Sequence, residues 1–313
     1  MLNWKLAGAA LGVIAVIAAP PVSASATSGS HKSGAADVAA STKANALTAM
    51  HGEAFAYAKY NADAGQAART GKKSVAKLFS RTAKVELGDH FASEAKVAGL
   101  VGSNKANLTD AIAGETYETT IMYPGFAAQA TADGCPVAAA LFTEIAADEA
   151  GHAAAYTTAL TSLTDASVKV PAPQVVDPVT IIASSPACSG QTQTNLLAAM
   201  HGEAFAHAKY SLYAKHAAAT GHRAIAKLFG GTAEVELREH FAGEAVLAGL
   251  VGTNKVNLKA AIAGETYETK TMYPDFAHQA AKAGDRHAAR LFTEIGREEG
   301  AHAHAFTAAL HRL

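Results

Sequence analysis

The sequence predicts an all-α protein of two tandem four-helix bundles, and three observations carry that expectation. The chain of 313 residues is 50% hydrophobic but only 7% aromatic, and alanine rather than β-branched residues supplies the apolar character. Such a composition favours helices over strands. Leu47 to Leu160 aligns without a gap on Leu197 to Leu310, so that "MHGEAFAYAKY" returns as "MHGEAFAHAKY" and "TAKVELGDHFASEA" as "TAEVELREHFAGEA". Each copy then divides into four segments with helical periodicity, separated by glycine-bearing breaks.

Ahead of the first copy, "MLNWK" carries Lys5, Leu6 to Ala19 is apolar, and Ala24-Ser25-Ala26 supplies small residues. This is the layout of a cleaved secretory signal over 1–26. The apolar run is short for a membrane span, so no stable span is expected after cleavage, and the mature protein is expected outside the cell or in the periplasm. Residues 27–41 read as a flexible Ser/Gly/Ala/Thr segment. The first repeat occupies 42–163, with helices about Thr42–Thr70, Lys73–Leu100, Leu108–Ala132 and Pro136–Leu163. A Pro-, Ser- and Val-rich linker covers 164–191, and the second repeat covers 192–313.

Net charge −1 offers no field for nucleic acid. Cys135 and Cys188 are the only cysteines and form no CxxC pair, which excludes a zinc ribbon, a rubredoxin-type iron site and a thioredoxin motif. Asp285 replaces Cys135 in the second repeat, so the thiol is no part of a duplicated site. A Cys135–Cys188 disulfide suits an exported protein, but their separation in space is not fixed by sequence.

The apolar stripes carry acid. The first helix brings Glu53, the second Glu86, the third Glu115 and Glu118, and the fourth Glu149 with His152. The second repeat repeats the set as Glu203, Glu236, Glu265, Glu268, Glu299 and His302. An unpaired buried carboxylate costs several kcal/mol, and no lysine or arginine shares these stripes. Divalent cations resolve the conflict, and glutamates from facing helices with Glu-x-x-His pairs are the ligand plan of di-iron and di-manganese bundles. Either Glu-x-x-His or Glu-x-x-Glu alone is common on exposed helices. Their recurrence in order, in both repeats, is what gives the pattern weight.

The stretch "AIAGETYETTIMYPGFAAQA…LFTEIAADEAGHAAAY", together with "HGEAFAYAKY", resembles the rubrerythrin and sulerythrin branch of the ferritin-like family. The resemblance spans both repeats and implies ferritin-like bundles with a di-iron centre in each, iron being the expected metal and manganese or a mixed pair the alternatives. It implies reduction of hydrogen peroxide. Two further readings stay open: a ferroxidase using oxygen, and metal sequestration without turnover. The family's tyrosines match Tyr60, Tyr123, Tyr210 and Tyr273; core packing is the rival explanation. Glu53, Glu86, Glu149 and His152 are expected as terminal ligands, Glu115 as a bridge, and Glu118 and Glu268 as ligands or mobile bases, with Tyr123 and Tyr273 beside the reaction. No rubredoxin motif supplies electrons, so an external donor is implied. The donor and the oligomeric state are left open.

The second helix departs from the family. Ungapped alignment places Asp89 and Glu239 where a rubrerythrin has histidine, and His90 and His240 follow one residue later. Positions i+3 and i+4 from Glu86 both lie near its face, so an acid ligand and a histidine delivered by a π-bulge both fit; the departure also puts in doubt any shuttling of the metal between a glutamate and that histidine. His51 and His201 fall beside a ligand helix but off its stripe. His207, His216, His222, His278, His287, His304 and His311 cluster in the second repeat and read mostly as exposed helix residues.

The connection lengths raise one more expectation. The second helix would end about 22 Å past Glu86, and the third would start about 10 Å before Glu115, at 1.5 Å per residue. Six connecting residues reach only about 20 Å, short of the return a self-contained bundle needs. Either the second helix ends early, or the helix pairs are exchanged between the repeats.

Overall fold

The structure is a computed structural model and describes residues 38–313. The signal and most of the N-terminal segment expected from sequence lie outside those residues. Twelve α-helical stretches occur among them, and no strand. The first repeat gives α1 (Ala40–Arg69), α2 (Lys73–Val85), α3 (Ala92–Ala98), α4 (Asn104–Tyr117), α5 (Tyr123–Ala132) and α6 (Pro136–Ser162). The second gives α7 (Gly190–Ala219), α8 (Arg223–Val235), α9 (Phe241–Ala248), α10 (Asn254–Tyr267), α11 (Tyr273–Ala283) and α12 (Arg286–His311). π-helical turns fuse α2 to α3 (Glu86–Phe91), α4 to α5 (Glu118–Met122), α8 to α9 (Glu236–His240) and α10 to α11 (Glu268–Met272). Each repeat is therefore four rods, as the periodicity predicts.

The boundaries follow local chemistry. The third rod starts four residues before its expected position because Ser103 Oγ accepts from Ala106 N, and Thr253 Oγ1 does the same for Val256 N. This is the N-cap arrangement that satisfies a free helix amide. The second rod stops at Gly99, and its counterpart at Gly249, each in the left-handed region (φ 70° and 62°). Glycine takes that conformation without a Cβ penalty.

From Gly99 to Ser103 only five residues remain, too few to run back along the rod. The chain crosses over instead. α1 and the α2–α3 rod pack with the α10–α11 rod and α12, while the α4–α5 rod and α6 pack with α7 and the α8–α9 rod. Of the two arrangements the sequence allows, the exchange is the one formed. One bundle is continuous in sequence (104–248) and the other is assembled from both ends of the described chain.

The apolar cores have the same composition. Tyr60 and Phe79 from the first repeat pack with Leu258 and Phe306 from the second, and Leu108 and Tyr156 pack with Tyr210 and Phe229. Between the bundles α1 lies against α7, where His51 stacks on Phe205 and His201 on Phe55, both with ring centroids 3.9 Å apart. These two histidines are off the acid stripe, as expected. His207 departs from the mostly exposed set: it is buried, its Nδ1 2.6 Å from Ala233 O. Cys135, ahead of α6, is disulfide-bonded to Cys188, ahead of α7, with Cα atoms 5.8 Å apart. The bond ties the two halves of the sequence-continuous bundle.

Because each bundle needs helices from both repeats, sequence repeat and folding unit differ. A chain of residues 104–251 is expected to be a folded monomer in analytical ultracentrifugation. A chain of residues 38–163 is expected to dimerise, each copy supplying the helix pair the other lacks. A folded monomer of 38–163 would contradict the exchange.

Candidate metal centres

The exchange decides which carboxylates meet. Glu53, Glu86 and His90 converge with Glu265, Glu299 and His302 in the bundle built from both chain ends, here called site I. Glu203, Glu236 and His240 converge with Glu115, Glu149 and His152 in the other, site II. All these side chains are buried except His302, which is partly exposed.

Each site resolves into two overlapping groups of four. At site I, Glu53, Glu86, His90 and Glu299 form one group, and Glu86, Glu265, Glu299 and His302 the other. Glu86 and Glu299 belong to both, and they divide their oxygens between them. Glu86 Oε2 lies 2.9 Å from His90 Nδ1 while Oε1 lies 3.2 Å from His302 Nδ1. Glu299 Oε1 lies 2.8 Å from His90 Nδ1, and Oε2 2.8 Å from His302 Nδ1. Site II repeats this with Glu236 and Glu149 shared: Glu236 lies 2.9 Å from His240 Nδ1 and 3.4 Å from His152 Nδ1, and Glu149 3.1 Å and 2.8 Å.

The donor set fits two divalent ions per site. Both Glu86 oxygens, both Glu236 oxygens, His90 Nδ1, His240 Nδ1, Glu115 Oε2, Glu149 Oε1, Glu265 Oε2 and Glu299 Oε1 are buried without a hydrogen-bond partner. Buried polar atoms are rarely left so. Here they point toward one another, which suits a shared cation better than any pairing among themselves. Carboxylate oxygen with imidazole nitrogen suits iron and manganese.

Three expectations change. Asp89 is exposed, and Glu239 is half-buried and accepts from Asp177 N at 2.9 Å, so neither reaches a site. The π turn inserts one residue's worth of rotation after Glu86 and after Glu236, turning the acid outward and His90 and His240 inward. The shared positions belong to Glu86, Glu149, Glu236 and Glu299, whereas Glu115 and Glu265 each join a single group, so Glu115 is not placed as a bridge. Glu118 and Glu268 stand outside the groups of four. Each lies across the bundle against a glycine of the partner helix: an ideal Cβ on Gly202 would be 3.8 Å from Glu118 Oε1, and one on Gly52 3.6 Å from Glu268 Oε1.

The tyrosines are placed beside the ligands. Tyr60 donates to Glu265 at 2.6 Å and Tyr210 donates to Glu115. Tyr273 donates to Glu53 and Tyr123 to Glu203. The same two hydroxyls lie 2.9 Å from Glu94 and 3.0 Å from Glu244, two fully buried carboxylates that sequence reasoning passed over. Their signal was present, since Glu94 and Glu244 follow His90 and His240 by four residues, one helical turn on the same face. On the outer side, His90 Nε2 lies 3.0 Å from Glu298 Oε2 and His240 Nε2 3.4 Å from Asp148 Oδ2. Carboxylates in that position orient an imidazole and raise its basicity.

The rubrerythrin family model matches residues 45–160 and 231–310, more than half of the chain. Nigerythrin of Nitratidesulfovibrio vulgaris is 35% identical over 142 residues, which cover 41% of this chain and 70% of the relative. Rubrerythrin of Porphyromonas gingivalis is 35% identical over 133 residues (38% and 66%), and rubrerythrin of Nitratidesulfovibrio vulgaris 36% identical over 123 residues (36% and 64%). The chain thus spans about two thirds of the length of these relatives. No solved structure matches significantly.

Without metal the clusters hold protons. Burial first, and then the charge of Glu149, pushes the Glu203 carboxyl up to about 8; burial and the charge of Glu299 do the same to Glu268, also to about 8. Burial opposes the charged form of His302, but the Glu265 and Glu299 carboxylates beside it overcome this and raise the imidazole to about 12. Burial likewise opposes ionisation of Glu299, and the His302 and His90 imidazoles beside it prevail, holding it at about 2.

For Glu203 and Glu268 the folded value lies above the unfolded one, so their stabilising contribution is complete below about pH 4.5 and is lost as pH rises toward about 8. His302 acts in the same direction above about pH 6.5, and Glu299 acts only below about pH 4.5. Because the buried His51 and His201 act the other way below about pH 6.5, the metal-free protein is expected to melt at progressively lower temperature from about pH 6.5 to about pH 8. Mn²⁺ should remove that slope, because metal binding displaces the protons. Calorimetry across this range checks both; a metal-free melting temperature that rises with pH would contradict the reading.

Proposed function

The chain belongs to the rubrerythrin family, and on that footing we propose that it is an exported di-iron protein that reduces hydrogen peroxide at two centres. The observation that carries this reading is the division of oxygens at Glu86, Glu299, Glu149 and Glu236. In each site two glutamates present one oxygen to each of two adjacent groups, the arrangement a dinuclear centre needs. Glu53, His90, Glu265 and His302 would complete the shell of site I, and Glu203, His240, Glu115 and His152 that of site II.

When bound, two ferrous ions would supply two electrons that, with two protons, convert one hydrogen peroxide to two waters. The chain's own part is to exclude bulk solvent, orient the oxidant and deliver protons. Glu268 and Glu118 suit the last task. Glu268 stands next to a shell without belonging to it, and burial raises its carboxyl to about 8 in the metal-free protein. A general acid is most effective when its pKa lies near the working pH. Tyr273 and Tyr123 fix the Glu53 and Glu203 oxygens through their hydroxyls, so that these ligands do not turn away when the charge of the site changes.

Electrons to restore the ferrous state come from a donor outside these 313 residues, whose two cysteines are joined to each other. That disulfide accords with an oxidising compartment and supports the exported reading. No helix among the described residues is long and apolar enough to cross a membrane.

Anaerobic stopped-flow on the di-ferrous protein tests the assignment. Peroxide is expected to oxidise it at least about tenfold faster than air-level oxygen, a barrier difference of about 1.4 kcal/mol. Glu268→Ala with Glu118→Ala should slow the peroxide reaction by roughly 10²–10⁴ with iron content unchanged, the range for a lost proton donor. A preference for oxygen would replace this reading by a ferroxidase, and inertness to both oxidants by sequestration.

A further inference from the structure

The two centres share one ligand plan but not one enclosure. His152 at site II has a side-chain exposure of 4%, whereas its counterpart His302 at site I has 16%. Residues 163–189, the segment between α6 and α7, meet the rod formed by α8, its π turn and α9 at several points.

Its contacts fall on the elements that place His240. Pro173 sits on Gly231, where an added Cβ would lie 2.2 Å from the proline Cβ; the first repeat has an exposed Arg81 at the matching position. Gln174 approaches Asp148, the carboxylate beside His240 Nε2. Asp177 N donates to Glu239 Oε2 at 2.9 Å, and Val179 N to Arg238 O at 2.8 Å. Both acceptors lie inside the π turn, where Phe241 N reaches back five residues to Glu236 O. A π turn interrupts the i→i−4 ladder, so a carbonyl within it is open to an outside donor. Farther on, Ser184 N and Ala187 N donate to Val251 O and Leu247 O, and Cys188 is tied to Cys135. At site I the matching turn residue is Gly88. It is exposed, and among the described residues its carbonyl receives no backbone hydrogen bond from another segment.

We propose that residues 173–179 are a positioning strap that locks the π turn of site II. They hold His240 toward the metals and make site II the slowly exchanging centre, while site I, whose turn has no such contact among the described residues, exchanges readily. The strap acts through the backbone of the turn and the Asp148–His240 pair and touches no metal or substrate. The consequence for metal exchange rests on the reading that both clusters bind metal; the locking of the turn does not.

Two measurements on the full chain separate these claims, using Val179→Pro, which removes the N–H donor, and Val179→Ala, which keeps it. In metal-free protein, amide hydrogen exchange followed by mass spectrometry should be at least about tenfold slower over 236–241 than over 86–91. Val179→Pro, or Gly231→Arg, which ejects Pro173, should erase the difference, and Val179→Ala should retain it. In protein loaded with Co²⁺, release to a chelator should show a fast and a slow phase. The slow phase should vanish in Glu149→Ala/His152→Ala, which marks it as site II, and should merge with the fast phase in Val179→Pro. Equal exchange of the two turns in the unaltered chain, or an unchanged difference in Val179→Pro, would overturn the strap. Failure to bind Co²⁺ with the exchange difference intact would overturn the metal reading and leave the strap standing.

Discussion

Glu86 and Glu299 are each 1% exposed in one core, each has an oxygen that no hydrogen bond satisfies, and Glu53 and Glu265 lie equally buried beside them. The same holds around Glu149 and Glu236. Among the described residues no lysine or arginine pairs with any of these eight carboxylates; the ion-pair partners present are histidines. Leaving one buried charge uncompensated costs about 3–5 kcal/mol, and a whole domain is stable by only about 5–15 kcal/mol. The fold therefore depends on compensation at these two points, by protons when metal is absent and by cations when it is present.

That constraint organises the surroundings. Tyr60, Tyr123, Tyr210 and Tyr273 each donate to a ligand carboxylate, and each also packs a ring into an apolar cluster, so the hydrophobic core fixes the direction of the acid. The π turns serve the same end from the backbone: one wide turn after Glu86 faces His90 inward, and one after Glu236 does so for His240. The helix exchange adds mutual dependence, since no centre can form from one repeat alone.

Much of this is readable in the residues because the helical period and the buried-charge argument are local. Glu53, Glu86, Glu115 and Glu149 fall on apolar stripes, and Glu149 with His152 is a spacing that one helix face imposes. The exchange was legible as an alternative because five or six residues cannot span a helix length. What sequence could not decide depends on tertiary geometry. Asp89 and His90 flank the same face, and only the π turn, held by packing on both sides, turns one out and the other in. Glu94 and Glu244 carried the right period, but they lack a sequence partner; the tyrosines they meet come from the other repeat. The bridging positions were misplaced for a related reason. Which glutamate divides its oxygens is set by how four rods converge, and no single stripe contains that information.

The central claim is that each cluster is a two-ion site built from both repeats. Anomalous diffraction at the iron edge, from crystals of the iron-loaded protein, tests it most directly. The account predicts four peaks in two pairs, one pair between Glu86 and Glu299 and the other between Glu149 and Glu236, each flanked by both of its histidines. A single peak per cluster, or peaks joining Glu53 to Glu149 rather than to Glu299, would contradict it.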